Sequence, residues 1–426
     1  MREKNKGKRL NYKNSKNKFM HKILSYLKKG KFRYITLLCM TILLLEVSVS
    51  AKCYAAKEPA SVEEDIVEQQ IKLSGVEKIE KEIEKYNTKE IDEILGGYDP
   101  GKIIEDMSSG KMSFNLKGIF ARILNAFFKE VYQNLNILIK LIVLAALCAV
   151  LKNLQSSFLS DSVGELAFYV CYMVVVSVLL ASFCTVMKLG RSIIESMVSF
   201  MQAIIPVFTT LLASSGNLVS GGLFQPILIL VVEVAGTILK DVLIPLIFFS
   251  AILSILNNIS DKVQLSKLSG FIKQISGWCI GIILTVFVAI ISLQGSLGAV
   301  IDGVTSKTTK FAISAFVPVA GKYLADAADT VLGCTLLIKN AAGAAAMIGL
   351  MVICIIPILK MSAILILYRL TCALIEPFSE KRITGCINEI AGCLTHVIGI
   401  AVSVTLMFLV SITVIIGAGN ISAMVR

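Results

Sequence analysis

Among the ionisable side chains inside or beside the apolar runs of this 426-residue chain, seven are candidates for function: Lys140, Glu195, Glu233, Lys322, Asp326, Asp329 and Lys339, with the amide of Gln202 among them. A charge inside a bilayer is costly. It is kept where it lines a path for ions or solutes, or where it bonds a neighbouring helix. Lys322, Asp326 and Asp329 stand at i, i+4 and i+7, on one helix face, and Lys322 can pair with Asp326 one turn away. That face either borders an aqueous path or is the wetted side of an interfacial helix. Glu233 and Gln202 suit a conduit or an inter-helix bond equally well. Pro206, Pro245, Pro318 and Pro357 lie within or beside apolar runs and are candidate hinges.

Bond-making chemistry finds no comparable foothold. The chain has two histidines, His21 and His396, and neither belongs to an H-E-x-x-H pattern. There is no phosphate loop ending in Lys-Ser/Thr and no nucleophile elbow. Eleven cysteines are scattered, mostly through apolar runs, without a C-x-x-C, which suits packing rather than metal ligation. No catalytic residue, metal or cofactor is expected, and the protein reads as a non-enzyme. Energy for any transport would have to come from a partner or a gradient.

The elements that carry these groups are helices for a membrane. Hydrophobic residues make up 55% of the chain and charged residues 17%, against about 25% charged in soluble domains. Apolar runs recur from about residue 135 onward: 135–151, 166–187, 193–212, 223–239, 242–256, 278–300, 311–337, 341–359, 361–375 and 394–417. A crossing takes about 20 such residues, so eight to ten spans are expected, all α-helical.

The net charge of +12 resides entirely in residues 1–56, which hold fourteen Lys/Arg and two acids. This basic tail precedes an apolar run, 35–49, and a cluster of small residues, so it reads as a signal peptide cleaved near Ala55 or Ala56 and not as a nucleic-acid site. Residues 57–134 begin with an acidic stretch in which Val76, Ile79 and Ile83 recur at helical spacing. Ser61-x-x-Glu64 and Ser74-x-x-Glu77 resemble capping boxes. From Leu116 to Val131 an apolar stripe is interrupted by Lys117, Arg122 and Lys129, a pattern suited to a helix lying at the membrane surface.

A repeat organises the rest. "IPLIFFSAIL" (244–253) and "IPILKMSAIL" (356–365) share six of ten positions. At the same offset of 112, Pro206 meets Pro318 and Gly221 meets Gly333. After a three-residue shift, "SGFIKQISG" (269–277) meets "TGCINEIAG" (384–392). Proline and glycine set backbone geometry, so matches there carry more weight than matches at leucine. The expectation is two leading spans at 135–192, then two units of about four spans each, 193–300 and 311–418. Lys262, Lys267 and Lys273 in the first unit answer Lys381 and Arg382 in the second, which implies a parallel repeat with both loops in the cytosol and residues 57–134 outside. Lys188, Arg191, Lys307 and Lys310 would then fall outside, against that rule. Duplicated bundles are a common transporter plan.

"VSFMQAIIPVFTTLLAS", "VLIPLIFFSAILSILNNIS", "LSGFIKQISGWCIGIILTVFV", "KFAISAFVPVAGKYLADAADTVLGCTLLIKNAAG" and the terminal "IIGAGN" resemble the stage III sporulation protein AE family of endospore-forming bacteria, over about residues 60–420. The resemblance implies a mother-cell protein with a signal peptide, in the membrane around the engulfed forespore. It also implies partners: other proteins of the same channel complex, among them a cytosolic ATPase and a ring-forming protein. Residues 57–134 would face the intermembrane space, and the duplicated bundle would be a permease-like part of the secretion-like channel. The residues alone leave two alternatives open, a stand-alone secondary transporter of a small solute and a non-conducting assembly scaffold.

Overall fold

The computed structural model describes residues 77–85, 116–158, 161–259, 265–316 and 321–425. The basic tail, the expected cleavage site, the two capping-box patterns and Pro318 lie outside the described residues. Among those described, every element is a helix, so the all-α membrane class expected from composition holds.

Helix α1, Glu77–Glu84, is charged at every position except Ile79 and Ile83. Both isoleucines are fully buried. Ile83 fills the space left by the missing side chain of Gly349, next to Phe200. Helix α2, Leu116–Gln133, pairs its Glu130 with Lys360 at 3.8 Å and turns Phe120, Leu124, Phe128 and Tyr132 outward. Asn134 ends it, donating its side-chain amide to the Glu130 carbonyl at 2.9 Å. Helix α3, Leu135–Phe158, follows.

The bundle proper consists of α4 (Asp161–Ser214), α5 (Leu218–Thr237) continued through a π-helical segment (Ile238–Leu243) into α6 (Ile244–Ile259), then α7 (Ser266–Phe316), α8 (Gly321–Ile375) and α9 (Lys381–Val425). At 1.5 Å per residue these runs are roughly 60–80 Å long, at least twice the hydrocarbon thickness of a bilayer. They alternate in direction. At one end lie the C-terminus of α6 and the 376–380 connection, where Asn258 approaches Gly385 and Lys152 of α3 pairs with Glu380. At the other end Gly216, with φ 77°, makes the tight turn between α4 and α5, a conformation that costs other residues a Cβ clash. There the buried Asp302 of α7 accepts the Val219 and Ser220 backbone N–H groups, both at 2.9 Å. A carboxylate at a helix N-terminus is favoured by the helix dipole and by the unpaired N–H groups.

Five of the described helices are long and apolar enough to cross a membrane: Leu135–Asn153, Tyr169–Ser214, Ser266–Thr308, Thr330–Ile375 and Lys381–Asn420. Among the described residues, several runs expected as separate spans are continuous. Runs 166–187 and 193–212 are both part of α4, and 341–359 and 361–375 are both part of α8. The polar residues in the gap at 188–192, between two expected spans, do not break α4. Arg191 bonds Glu195 one turn on at 3.2 Å and reaches Asp241 at 3.1 Å, and Gly190 admits the side chain of Val397.

The core runs the length of the bundle. Phe183 stacks on Phe248, Phe287 meets Phe408, and the Tyr368 hydroxyl donates to the Leu179 carbonyl at 3.0 Å. Helix α9 is central: 61% of its most apolar stretch is buried, against 22% for α7.

Candidate functional site

Between α4 and the α5–π run lies an open groove of about 220 Å³. Its polar wall on α4 is Glu195, Ser199 and Gln202, spaced i, i+4 and i+7. Its opposite wall is Glu233, Thr237 and Lys240, with the same spacing. Two helical faces thus present matched polar triads in a largely apolar bundle. The Gln202 amide donates to the Glu233 carboxylate at 2.5 Å and ties the walls together. At the groove end Lys240 stands 3.6 Å from Glu195 and 3.8 Å from Asp241, while Arg191 bonds both acids. Gly236 lets Val198 approach closely, since a Cβ there would meet its methyl at 2.5 Å.

The π segment sits where this charge is concentrated. Pro245, at the second position of α6, has no N–H to give the Asp241 carbonyl and crowds it. The N–H of Ile244 bonds the Leu239 carbonyl, five residues back, which is the wider π turn. Such turns are frequent at functional sites. Pro206 and Pro357 lie within continuous helices α4 and α8. At Pro206 the hydroxyls of Thr209 and Thr210 donate to its carbonyl at 2.9 and 2.8 Å.

The structure therefore brings together Glu195, Gln202 and Glu233, three of the groups singled out by sequence. Arg191, Ser199, Thr237, Lys240 and Asp241 complete the site and were not singled out. Arg191 and Lys240–Asp241 had fallen in the gaps between supposed spans. The signal available was the i, i+4 relation of Arg191 to Glu195 and of Glu233 to Thr237.

Lys339 is elsewhere. It is fully buried near the Gly216 end and donates to the Ile416 carbonyl at 2.8 Å and to Asn420 at 3.5 Å. Gly419 makes room for it, because any Cβ there would overlap the ammonium. Its role is to join α8 to α9. Lys140 is exposed on α3. Lys322, Asp326 and Asp329 fall within the helical backbone of α8, but their side chains lie outside those described.

A second polar cluster also escaped the sequence reading. Ser250 and Ser254 of α6, Ser269 and Lys273 of α7, and Glu389 of α9 meet inside the bundle. The Ser250 and Ser269 hydroxyls lie 3.0 Å apart, and those of Ser254 and Ser269 2.6 Å apart. Lys273 pairs with Glu389.

The groove can bind, orient or pass a polar group. Among the described residues no cluster of His, Cys, Asp and Glu could hold a metal ion.

Comparisons with known proteins agree with the sequence resemblance. Residues 98–419 match the family described as Stage III sporulation protein AE. Over 326 residues the chain is 33% identical to the Stage III sporulation protein AE of Bacillus subtilis (strain 168), a match that covers 76% of this chain and 82% of that protein. No solved structure matches.

Proposed function

The chain belongs to the stage III sporulation protein AE family, and from that premise we propose that it is a permease-like membrane component of the channel linking mother cell and forespore. In this reading it lies in the mother-cell-derived outer forespore membrane, with residues 57–134 in the intermembrane space. It performs no catalysis, and a cytosolic ATPase and ring-forming proteins of the same complex supply energy and continuity. The bundle, in this reading, arose by internal duplication of the unit 193–300 as 311–418, and one copy kept a polar passage.

The observation that carries this reading is the mixed-charge groove between α4 and α5. Paired polar triads at helical spacing, halfway along an apolar bundle, are costly unless used. The groove holds acids and bases in near balance, which favours polar cargo or inter-helix gating over selection of one ion sign.

The test is a set of single replacements, Glu233→Ala, Gln202→Ala and Glu195→Ala, in sporulating cells. Heat-resistant spores are expected to fall at least tenfold while the protein accumulates normally. Wild-type spore yield in all three variants would remove the groove from the mechanism. Orientation is tested separately. Cysteines placed at Lys267 and Arg382 should both be shielded from an impermeant maleimide added outside, since both belong to the end expected in the cytosol. Co-purification with an ATPase and ring proteins supports the complex, whereas solute uptake by the chain alone in vesicles would favour the stand-alone transporter.

A further inference from the structure

We infer that the outward polar face of α4, with the groove on it, is the docking surface for a second copy of this chain, whose own α4–α5 seam closes the groove into a polar passage. From Thr185 to Ser214 every exposed side chain of α4 is polar, Lys188, Arg191, Glu195, Ser199, Gln202 and Thr210 among them, over about 44 Å at 1.5 Å per residue. The α7 side of the bundle is apolar at the same depth. Phe183 stacks on Phe248, and the Ser250 hydroxyl lies 3.0 Å from that of Ser269, so α4 near residue 183 is level with α7 near 269. Gly221 approaches Thr209 and Ala213 while its neighbour Ser220 lies against Gly298, so α4 near 211 is level with α7 near 298. Between those levels α7 exposes Trp278, Ile282, Val286 and Leu293. Its one charged residue there, Lys273, pairs with Glu389. That face suits lipid. The face of α4 at the same depth does not, because ionisable groups at bilayer depth face a bundle interior or a water-filled cavity. For this face to be interior, another chain must cover it.

The charges on the seam match themselves. Across it Arg191 bonds Asp241 at 3.1 Å, Lys240 stands 3.6 Å from Glu195, the Gln202 amide donates to Glu233, and the Thr209 hydroxyl donates to Gln225 at 3.4 Å. These rungs extend over about 27 Å of α4. The ionisable groups balance, with Lys188, Arg191 and Lys240 against Glu195, Glu233 and Asp241. Copies inserted in the same orientation are related by a two-fold axis along the membrane normal, so the same surface meets itself at equal depth. Such an axis in front of the seam sets α4 of one copy against α5 of the other. Each residue of α4 then comes level, in the second copy, with the residue that it bonds in its own chain. Arg191 meets Asp241, Glu195 meets Lys240 and Gln202 meets Glu233, so the potentials are complementary on every rung. An unrelated chain would have to carry this order of charges independently, whereas a second copy brings it by symmetry. The two grooves open towards each other, and the passage takes one wall from each copy.

A photo-crosslinking residue at Ser192, Ser199 or Thr210, in the full chain in its native membranes, tests the contact. Leu293 of α7 is the control. At least two of the three positions should give an adduct of twice the 46.2 kDa chain mass that contains this sequence alone, and Leu293 should label lipid. Fewer than two such adducts, whether water, lipid or a different protein takes the label, overturns the inference. Charge reversal then separates contact between copies from bonding within one. Glu195→Lys and Lys240→Glu, each alone, should lower the Thr210 adduct per accumulated chain about fivefold. Co-expression of the two variants should restore it. Across the two-fold axis each reversed charge then meets the other, while inside each chain the pair stays broken. Unchanged adduct in the single variants, or no recovery on co-expression, refutes the arrangement. The inference rests on reading the groove as a passage, but the two fail separately: crosslinking reads the contact, and spore yield reads the passage.

Discussion

The two hairpins, α5–α6 with α7 and α8 with α9, share sequence signals at their prolines and glycines yet differ in structure. Helices α7 and α9 begin at Ser266 and Lys381, 115 residues apart, the same offset that aligns "SGFIKQISG" with "TGCINEIAG". At the offset of 112, Pro245 corresponds to Pro357. Yet the first proline follows a π segment and the second lies in unbroken α-helix. Proline therefore permits the wide turn without imposing it. The other difference is polarity. Glu233, Lys240 and Asp241 correspond to Ala345, Val352 and Ile353, all buried in the second hairpin. There α8 packs closely on α4, while in the first hairpin the same interval opens into the groove. A helix that must present charge to a neighbour keeps room for it, and one that presents alanine and glycine closes.

Giving the second hairpin the charge of the first should have the largest effect. Ala345→Glu buries a carboxylate with no counterpart, and a loss of about 3–5 kcal/mol is expected from an uncompensated buried charge. Little folded protein should accumulate in membranes, by immunoblot. Normal accumulation would mean that the second interval is not closed.

Next is the tie between the hairpins. Lys273→Glu sets like charges together beside the serine cluster. Because Glu389 is 45% exposed at its side chain, the expected cost is about 2 kcal/mol, below the fully buried case. Adding Glu389→Lys should restore most of the thermal midpoint measured in detergent. If the double variant melts no higher than Lys273→Glu, the pairing is not what joins α7 to α9.

Asp302→Ala removes the acceptor of the Val219 and Ser220 backbone N–H groups at the start of α5. About 1–2 kcal/mol is expected, as for other lost caps. The measurement is the same melt, with Asp302→Asn intermediate. The smallest stability effect is expected for Glu233→Ala, under about 1 kcal/mol, because the groove is open and Gln202 can hydrate. A melt unchanged alongside a collapse in spore yield would separate function from folding at this position.

Much of this architecture was legible in the sequence. Apolar length and low charge gave the helical membrane class, and the spacing of Ile79 and Ile83 gave a small amphipathic helix with a buried face. Glu195, Gln202 and Glu233 stood out because charge is scarce in such runs. What stayed hidden was continuity. Residues 188–192 look like a break between two spans in a hydropathy reading, since composition does not show that Arg191 will pair with an acid one turn on and with another across on the next helix. The Lys273–Glu389 pair joins residues 116 positions apart, and the serines around it are unremarkable until three helices converge. Lys339 looked like a conduit residue. Its attachment to the Ile416 carbonyl and the Gly419 gap depended on how α8 and α9 pack, which spacing alone does not fix.

The central place of α9 has a consequence for biogenesis. Of the described helices it is made after all the others, yet it is the wall against which α4, α6, α7 and α8 are packed. At about 5–20 residues per second of synthesis, its 45 residues take roughly two to nine seconds to emerge. During that interval the serine cluster, Lys273 and the inner faces of four long helices await their permanent neighbour. The nascent chain thus depends on an insertase or on lipid to shelter them, and truncation within α9 would strand a finished first hairpin with no core to join.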